Sequence, residues 1–441
     1  MSIEEYNQMS HYICDYVAKW AKKNPEGIAI IDADDGKWVT WKEFDLAVDI
    51  IALKLIEMGY KKGDIFVSML PLLLEQIYFE FACFKLGIIW CPLDVRLKVD
   101  ETVRCVKLLD PDAKMYLHPD DTDSEDKWGR KKFYIFKQIA RAVKESCPFV
   151  EKFLQFSLIE DADKGSLGIL NFLKEARENW YKYSKNPEIF KKKKQLIRDY
   201  ASKVKEDDPI LIIYTTGTTG FPKPAMLTNT GIVCQNYCMA KGFEITKEDR
   251  MLVNLPPSHV GCQTEQLMTT IFAGGVSVIL HGFKADKTMK AIHDYRITAF
   301  GQIPSLFVME WRLPDYDSYD ISSLRFALYG GQAVSKRFLE KLASMAPYIG
   351  SGLGLTEMSG FVSYTPFGGS PDDILTSLGH DYPITPLSIR KPMKEDGSAG
   401  EELPDGEIGE ICYSGPQVFK GYYRNEEATR KTISIELLAI N

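Results

Sequence analysis

Seven of the nine residues 215–223 are Thr, Gly or Lys: Thr215, Thr216, Gly217, Thr218, Thr219, Gly220 and Lys223. They follow the apolar run 211–214. A glycine-rich turn after a strand aims several backbone N–H groups at one point, and such a nest binds anions, phosphate above all. Threonine hydroxyls add donors. Lys223 adds a point charge that can reach over the nest. The P-loop pattern G-x-x-x-x-G-K-[ST] does not fit, because Phe221 and Pro222 separate Gly220 from Lys223 and Pro224 follows the lysine. Pro222 and Pro224 also forbid a helix beginning at Lys223. The composition predicts a phosphate-holding loop of another kind.

The elements that must carry this loop are read from periodicity. The chain has 441 residues, too many for one core, so two or three packed units are expected. Apolar residues make up 45%, which is globular. Residues 28–41 read as a hairpin, 43–58 as an amphipathic helix closed by Gly59, and 65–92 as strand, helix, strand. Such alternation implies a parallel sheet. Residues 118–205 differ: a charged loop leads into Lys- and Glu-rich helices. The run Lys191–Lys194 there reads as a solvated face or a basic patch. Alternation resumes after Asp208, with a helix at 231–242, strands at 250–254 and 276–280, a helix at 265–273, and short strands at 299–302, 326–329 and 348–351. Beyond Gly360 the texture turns to short β segments rich in Gly and Pro, with no helix pattern before Asn425. The expectation is an α/β protein: a first α/β subdomain over 1–207 with a helical insertion near 118–205, a second over 208–360 carrying the loop, and a β-rich subdomain over 361–441 shaped as a small distorted barrel.

Charge and cysteines bound the setting. A net charge of −7 argues against non-specific nucleic-acid binding. Nine scattered cysteines without a C-x-x-C pair argue against zinc and for a reducing compartment. The acidic start "MSIEEYNQ" is no signal peptide, and the apolar region 66–93 is interrupted by Glu75, Glu80 and Lys85, so no membrane span is expected. The expected location is the cytoplasm. A homo-oligomer is left open.

The segment "YTTGTTGFPKPAMLTN" (214–229) resembles the signature loop of the AMP-forming adenylating enzymes, the superfamily of acyl-CoA synthetases, luciferases and peptide-synthetase adenylation domains. Other blocks follow in that family's order. "NLPPSHVGC" (254–262) resembles its L-P-x-x-H segment, "YGGQAV" (329–334) its adenine-contacting turn, and "GLGLTE" (352–357) its Y-G-x-T-E block. "DGEIGEICYSGPQVFKGYYRNEEAT" (405–429) resembles its G-E-I and G-Y run, and residues 39–64 its lead-in. The likeness runs from about residue 10 to residue 430 and is weakest in 118–205.

The resemblance implies roles. Residues Thr215–Gly220 and Lys223 would hold ATP phosphates. Gly331, Gln332 and Ala333, with Ser351, Gly352, Leu353, Gly354 and Thr356, would line the nucleotide. Lys223, Thr356, Glu357 and His259 would serve catalysis, and Glu357 with Thr216 would hold Mg²⁺. His259, Val260, Gly261, Cys262, Phe300, Gly301, Tyr329 and Gly330 would line the acid pocket. By their own chemistry several of these stay open. Glu357 also reads as a helix N-terminal acid, Gly330 and Gly331 as a strand end, and His259 as a core or capping histidine. Departures are Thr216 for Ser, Pro224 for Gly, Asn229 for His, and Leu353 where an aromatic stacks on adenine. After "EEATRKT" the family continues to a T-G-D block and a mobile domain with a catalytic Lys. No T-G-D occurs in this sequence, so the expectation is a chain holding only the large N-terminal domain.

The implied reaction joins a carboxylic acid to coenzyme A through an acyl-adenylate, with ATP giving AMP and pyrophosphate, in either net direction. Amino-acid-activating members carry an Asp that residues 254–261 lack, so an apolar, non-amino acid is expected. Oxidation of the luciferase kind has no supporting feature. The alternative from another class is a non-catalytic nucleotide or acyl-adenylate binding protein.

Overall fold

In a computed structural model, the described residues are 3–125, 131–157, 162–215 and 222–434; the side chains of 123–125 and 131–134 are left aside. Two seven-stranded sheets dominate. One runs in the order Lys223–Thr228, Pro209–Thr215, Ile89–Pro92, Ile65–Ser68, Ala113–Pro119, Lys152–Phe156, Leu167–Gly168. The other runs Tyr348–Gly350, Phe326–Tyr329, Ala299–Gln302, Arg250–Val253, Val276–Ile279, Ile28–Asp32, Lys37–Thr40. Pairing is parallel throughout, except for one antiparallel hairpin at an edge of each sheet. Ile65–Ser68, Ile89–Pro92 and Phe326–Tyr329 are buried along their whole length, as parallel strands covered on both faces must be.

Three cores follow from this layering. Between the sheets lie the helices Ile13–Lys23, Trp41–Glu57, Leu74–Leu86 and Asn229–Gly242, whose apolar residues join those of both sheets in one cluster. Eleven of the fourteen residues of Asn229–Gly242 are buried, Asn229, Gln235 and Asn236 among them, so this helix is buried all round rather than amphipathic. Behind one sheet Ala285–Tyr295, Pro304–Glu310 and Lys336–Ala343 close a second core. Behind the other, Val99–Lys107 and Phe136–Ser146 close a third. Local signals set the helix starts. Thr40 accepts a hydrogen bond from the Glu43 amide at 3.2 Å while the Glu43 carboxylate accepts from the Thr40 amide at 2.8 Å, a reciprocal cap.

Each sheet draws strands from both sides of the 207/208 division. The hairpin Ile28–Thr40 joins the strands of residues 250–350, and Pro209–Thr228 joins the strands of residues 65–168. Past residue 360 the described residues form the two-stranded ribbon Leu387–Arg390 with Glu410–Tyr413 and a few isolated bridges, not a closed barrel. A helix at Pro371–Thr376, capped by Ser370 and Asp373, stands where no helix pattern is visible in the sequence. The helix expected from residue 265 begins earlier, as a π-helix over Gly261–Met268 that continues as Thr269–Ala273. No helix among the described residues is long and apolar enough to cross a membrane.

Candidate active site

Thr216, Gly217, Thr218, Thr219 and Gly220 lie outside the described residues; the two ends of their loop do not. Thr215 and Lys223 are directly paired across the antiparallel hairpin. Thr215 is buried, and its hydroxyl has no hydrogen-bond partner among the described residues. Strand Lys223–Thr228 runs straight into the next helix, where Thr228 accepts the Gly231 amide at 3.0 Å. That cap pins the register of the strand carrying Lys223.

The outer edge of this strand is covered by residues from the far end of the chain. Ala225 bridges Tyr422 in antiparallel fashion. The Tyr423 amide donates to the Pro224 carbonyl at 2.8 Å, and the Met226 amide donates to the Gly421 carbonyl at 2.9 Å. The same segment reaches the Thr356–Met358 turn. The Phe419 amide donates to the Glu357 carbonyl at 2.9 Å, and Gln417 Nε2 donates to the Met358 and Phe361 carbonyls, both at 2.6 Å. At the junction the Tyr422 hydroxyl donates to Glu357 Oε1 at 2.5 Å, and Lys223 Nζ sits 4.5 Å from the centre of the Tyr422 ring. Burial and the Glu357 carboxylate both push the Tyr422 hydroxyl pKa upward, which keeps it a donor. Lys223 and Glu357 are far apart in sequence, and one tyrosine joins them. Among the described residues the Tyr422 hydroxyl bonds Oε1 of the Glu357 carboxylate.

Gly331 has φ +87°, in the left-handed region that favours glycine. With Gln332 and Ala333 it is exposed at the end of strand Phe326–Tyr329. Ser351 is buried and exchanges bonds with Thr365, its amide donating to Thr365 Oγ1 at 2.9 Å. A Cβ on Gly352 would meet the Ser363 carbonyl oxygen at 2.0 Å, so no other residue fits there. Leu353 is half-buried, while Thr356 is reachable from solvent. Gly354 pairs with Phe361 and Leu355 with Gly360, a short antiparallel turn that presents Thr356 and Glu357.

His259 caps the π-helix through its carbonyl, which accepts the Cys262 and Gln263 amides. Its Nε2 is 3.9 Å from Asp94 Oδ2, and Asp94 is itself clamped by Arg96. Burial lowers the His259 pKa, Asp94 opposes that, and Arg96 adds to it, so the ring is neutral near pH 7. Val260 and Gly261 are half-buried beside it, and Cys262 is fully buried in the central core. Gln266 Nε2 donates to the Gly301 carbonyl at 2.7 Å and ties the π-helix to the next strand. Phe300 does not share this face. Its ring is fully buried in the core behind the sheet, 5.1 Å from Phe307, because neighbours on a strand point to opposite sides. Tyr329 packs in the same outer core, against Phe338, and Gly330 is half-buried with its Cβ position 3.4 Å from the Phe361 ring. Tyr422, Gln417 and Glu265 were not among the expected site residues. Tyr422 and Gln417 do stand in the quoted block 405–429.

A family model described as "AMP-binding enzyme" matches residues 17–423. The chain belongs to the AMP-binding enzyme family. Its relatives include the 4-coumarate–CoA ligase of Pinus taeda, 23% identical over 99% of this chain and 74% of that protein. In fold it is similar to the N-terminal domain of FACL13 from Mycobacterium tuberculosis, with TM-score 0.74 and 20% identity over 95% of this chain and 92% of that one. It is also similar to ATP-bound MatB from Rhodopseudomonas palustris, with TM-score 0.71 and 19% identity over 97% of this chain and 75% of that one. In this AMP-binding enzyme the family's ordered blocks meet at the Lys223–Tyr422–Glu357 junction.

Proposed function

We propose that this AMP-binding enzyme is an acid–thiol ligase that activates a non-amino carboxylic acid with Mg-ATP and transfers it to coenzyme A. A carboxylate oxygen attacks the α-phosphorus, the α–β phosphoanhydride bond breaks, and pyrophosphate leaves with the bonding electrons. The thiolate of coenzyme A then attacks the acyl carbon, and AMP leaves. Lys223 and the Thr/Gly loop position the phosphates, and Thr356 offers its hydroxyl to the α-phosphate. Glu357, with Thr216, would hold Mg²⁺, which neutralises phosphate charge when bound. Neutral His259 walls the acid pocket without adding a charge there. Both steps are reversible, so product levels set the net direction. Nine free cysteines fit a reducing compartment, the cytoplasm.

The meeting of Lys223 and Glu357 through Tyr422 at the mouth of the loop carries this reading. The named relative acts on 4-coumarate and coenzyme A, which supports the acid and thiol classes. The test is the melting temperature of the chain with Mg-ATP, Mg-GTP and AMP, with and without a panel of carboxylic acids. A ligand at about 100 times its Kd adds roughly 2.7 kcal/mol. A rise with ATP and not GTP, lost in Lys223→Ala, is expected. Equal rises for both nucleotides, or none, would overturn it.

A further inference from the structure

The helices Ile169–Ser184 and Pro187–Ala201 carry a charge run that the proposed chemistry leaves unused. Residues 177–194 hold seven basic and two acidic side chains, in a chain whose net charge is −7. Such local asymmetry marks one face of the molecule. Of the seven, only Lys193 pairs with a carboxylate among the described residues, Glu57 at 2.8 Å. The Tyr183 hydroxyl donates to the same carboxylate at 2.8 Å, and Lys54 pairs with Glu175 at 2.7 Å. These bonds fasten the inner side of the two helices to the helix Trp41–Glu57. Lys182, Lys185, Lys191, Lys192 and Lys194 stay exposed, with no ion pair among the described residues.

Apolar surface is interleaved with these cations. Tyr181 is 63% exposed and Ile189 42% exposed, and every residue from 184 to 189 is exposed. Lys185 Nζ stands 4.3 Å from the centre of the Tyr181 ring. Lys194 Nζ stands 5.0 Å from the Phe190 ring, which packs edge-on against Trp180 at 5.2 Å. Of the fifteen residues of Pro187–Ala201 only Ile197 is buried, so this helix turns most of its surface outward. A basic face alone suits any polyanion. Exposed tyrosine and isoleucine among free ammonium groups suit a narrower partner: anionic head groups with hydrocarbon directly beneath them. There the apolar side chains leave water while the ammonium groups stay hydrated. A polynucleotide has no hydrocarbon for Ile189.

We propose that this pair of helices docks on the surface of an anionic lipid bilayer, with Tyr181 and Ile189 entering the head-group layer and the exposed lysines around them meeting the lipid charges. The contact is peripheral. The two helices have 16 and 15 residues, short of the roughly twenty apolar residues that a crossing takes. The excess acid lies in the rest of the chain, so an anionic surface attracts this face and repels the body, which selects one orientation. The inference stands apart from the ligase reading and does not need it.

The experiment sediments the whole chain with vesicles of phosphatidylcholine alone and of phosphatidylcholine with about 30% phosphatidylserine. At about 0.1 M salt the mixed vesicles should take up at least tenfold more protein than the neutral ones, and about 0.5 M salt should release it. Each basic residue at such a surface strengthens partitioning about fivefold, so Lys191→Gln, Lys192→Gln and Lys194→Gln together should weaken it about a hundredfold. Lys22→Gln, Lys247→Gln and Lys394→Gln together remove equal charge from exposed sites elsewhere and should change it less than about threefold. Tyr181→Ser with Ile189→Ser should weaken binding about tenfold and leave its salt dependence unchanged. Both side chains are exposed, so the melting temperature should hold in that variant. No uptake, equal uptake by neutral and mixed vesicles, equal loss in the two lysine sets, or unchanged binding in the Tyr181/Ile189 variant overturns the proposal. Tighter binding to polyuridylate than to mixed vesicles, indifferent to the Tyr181/Ile189 change, also overturns it and assigns the face to nucleic acid.

Discussion

Replacing Glu265 with glutamine should change how stability depends on pH. The carboxyl titrates at 4.5 when free and at about 7 in the folded protein, with burial as the cause. Below about pH 4.5 it is protonated in both states and has no effect. As pH rises toward 7, the unfolded chain releases the proton while the folded chain holds it, so wild type loses stability over that window. At about 1.4 kcal/mol per pH unit, the full difference is about 3 kcal/mol. Partial exposure makes that figure an upper bound. Tyr364, which feels the Glu265 charge, has its own pKa pushed up by burial and stays neutral throughout. A glutamine side chain does not titrate, so the Glu265→Gln variant escapes the loss. Urea unfolding of both proteins across the range from about pH 5 to about pH 8 reads the effect as a gap that widens in the variant's favour with pH and then levels off. A gap constant to within about 0.5 kcal/mol over that range would mean that Glu265 is solvated and that burial does not perturb it.

Lys223→Ala should weaken Mg-ATP binding tenfold or more, as loss of a charge-assisted contact implies, with little change in melting temperature, because Lys223 Nζ has only the Tyr422 ring as partner among the described residues. Calorimetry and a thermal melt of the same sample check both halves. Tyr422→Phe removes the 2.5 Å bond to Glu357 and should cost about 2 kcal/mol, typical of a hydrogen bond to a charged group, measured by urea unfolding. Glu357→Gln should erase the Mg²⁺-dependent part of ATP binding, read by titrating ATP with Mg²⁺ and with a chelator; an unchanged Mg²⁺ increment would remove Glu357 from the metal site. Gly352→Ala should cost upwards of about 3 kcal/mol, since its Cβ would meet backbone at 2.0 Å. Gly282→Ala, with nothing within 4 Å, should be near neutral in the same melt.

The Thr/Gly loop composition, the order of the family blocks and the parallel α/β class were readable from the linear sequence. Each rests on a local signal: residue types in a short window, or the alternation of strand and helix patterns. Which strands share a sheet was not readable. A parallel strand covered on both faces is apolar at every position, so its pattern names neither its neighbours nor its orientation. That is why the hairpin Ile28–Thr40 joins strands more than two hundred residues away, and why Phe300 turns from the acid pocket into the outer core. Tyr422 could be quoted within a block, but its role depends on backbone pairing between residues 224–226 and 420–423, a contact with no period. Glu265 could be placed on a helix; only the tertiary structure shows the π-winding and packs its carboxyl against Gly354 and Gly360. Local composition by itself determined a loop chemically suited to phosphate. Tertiary structure alone decided which side chains meet beside it, because long-range pairing is set by the cores that the sheets and helices jointly bury, and no short window of sequence contains them.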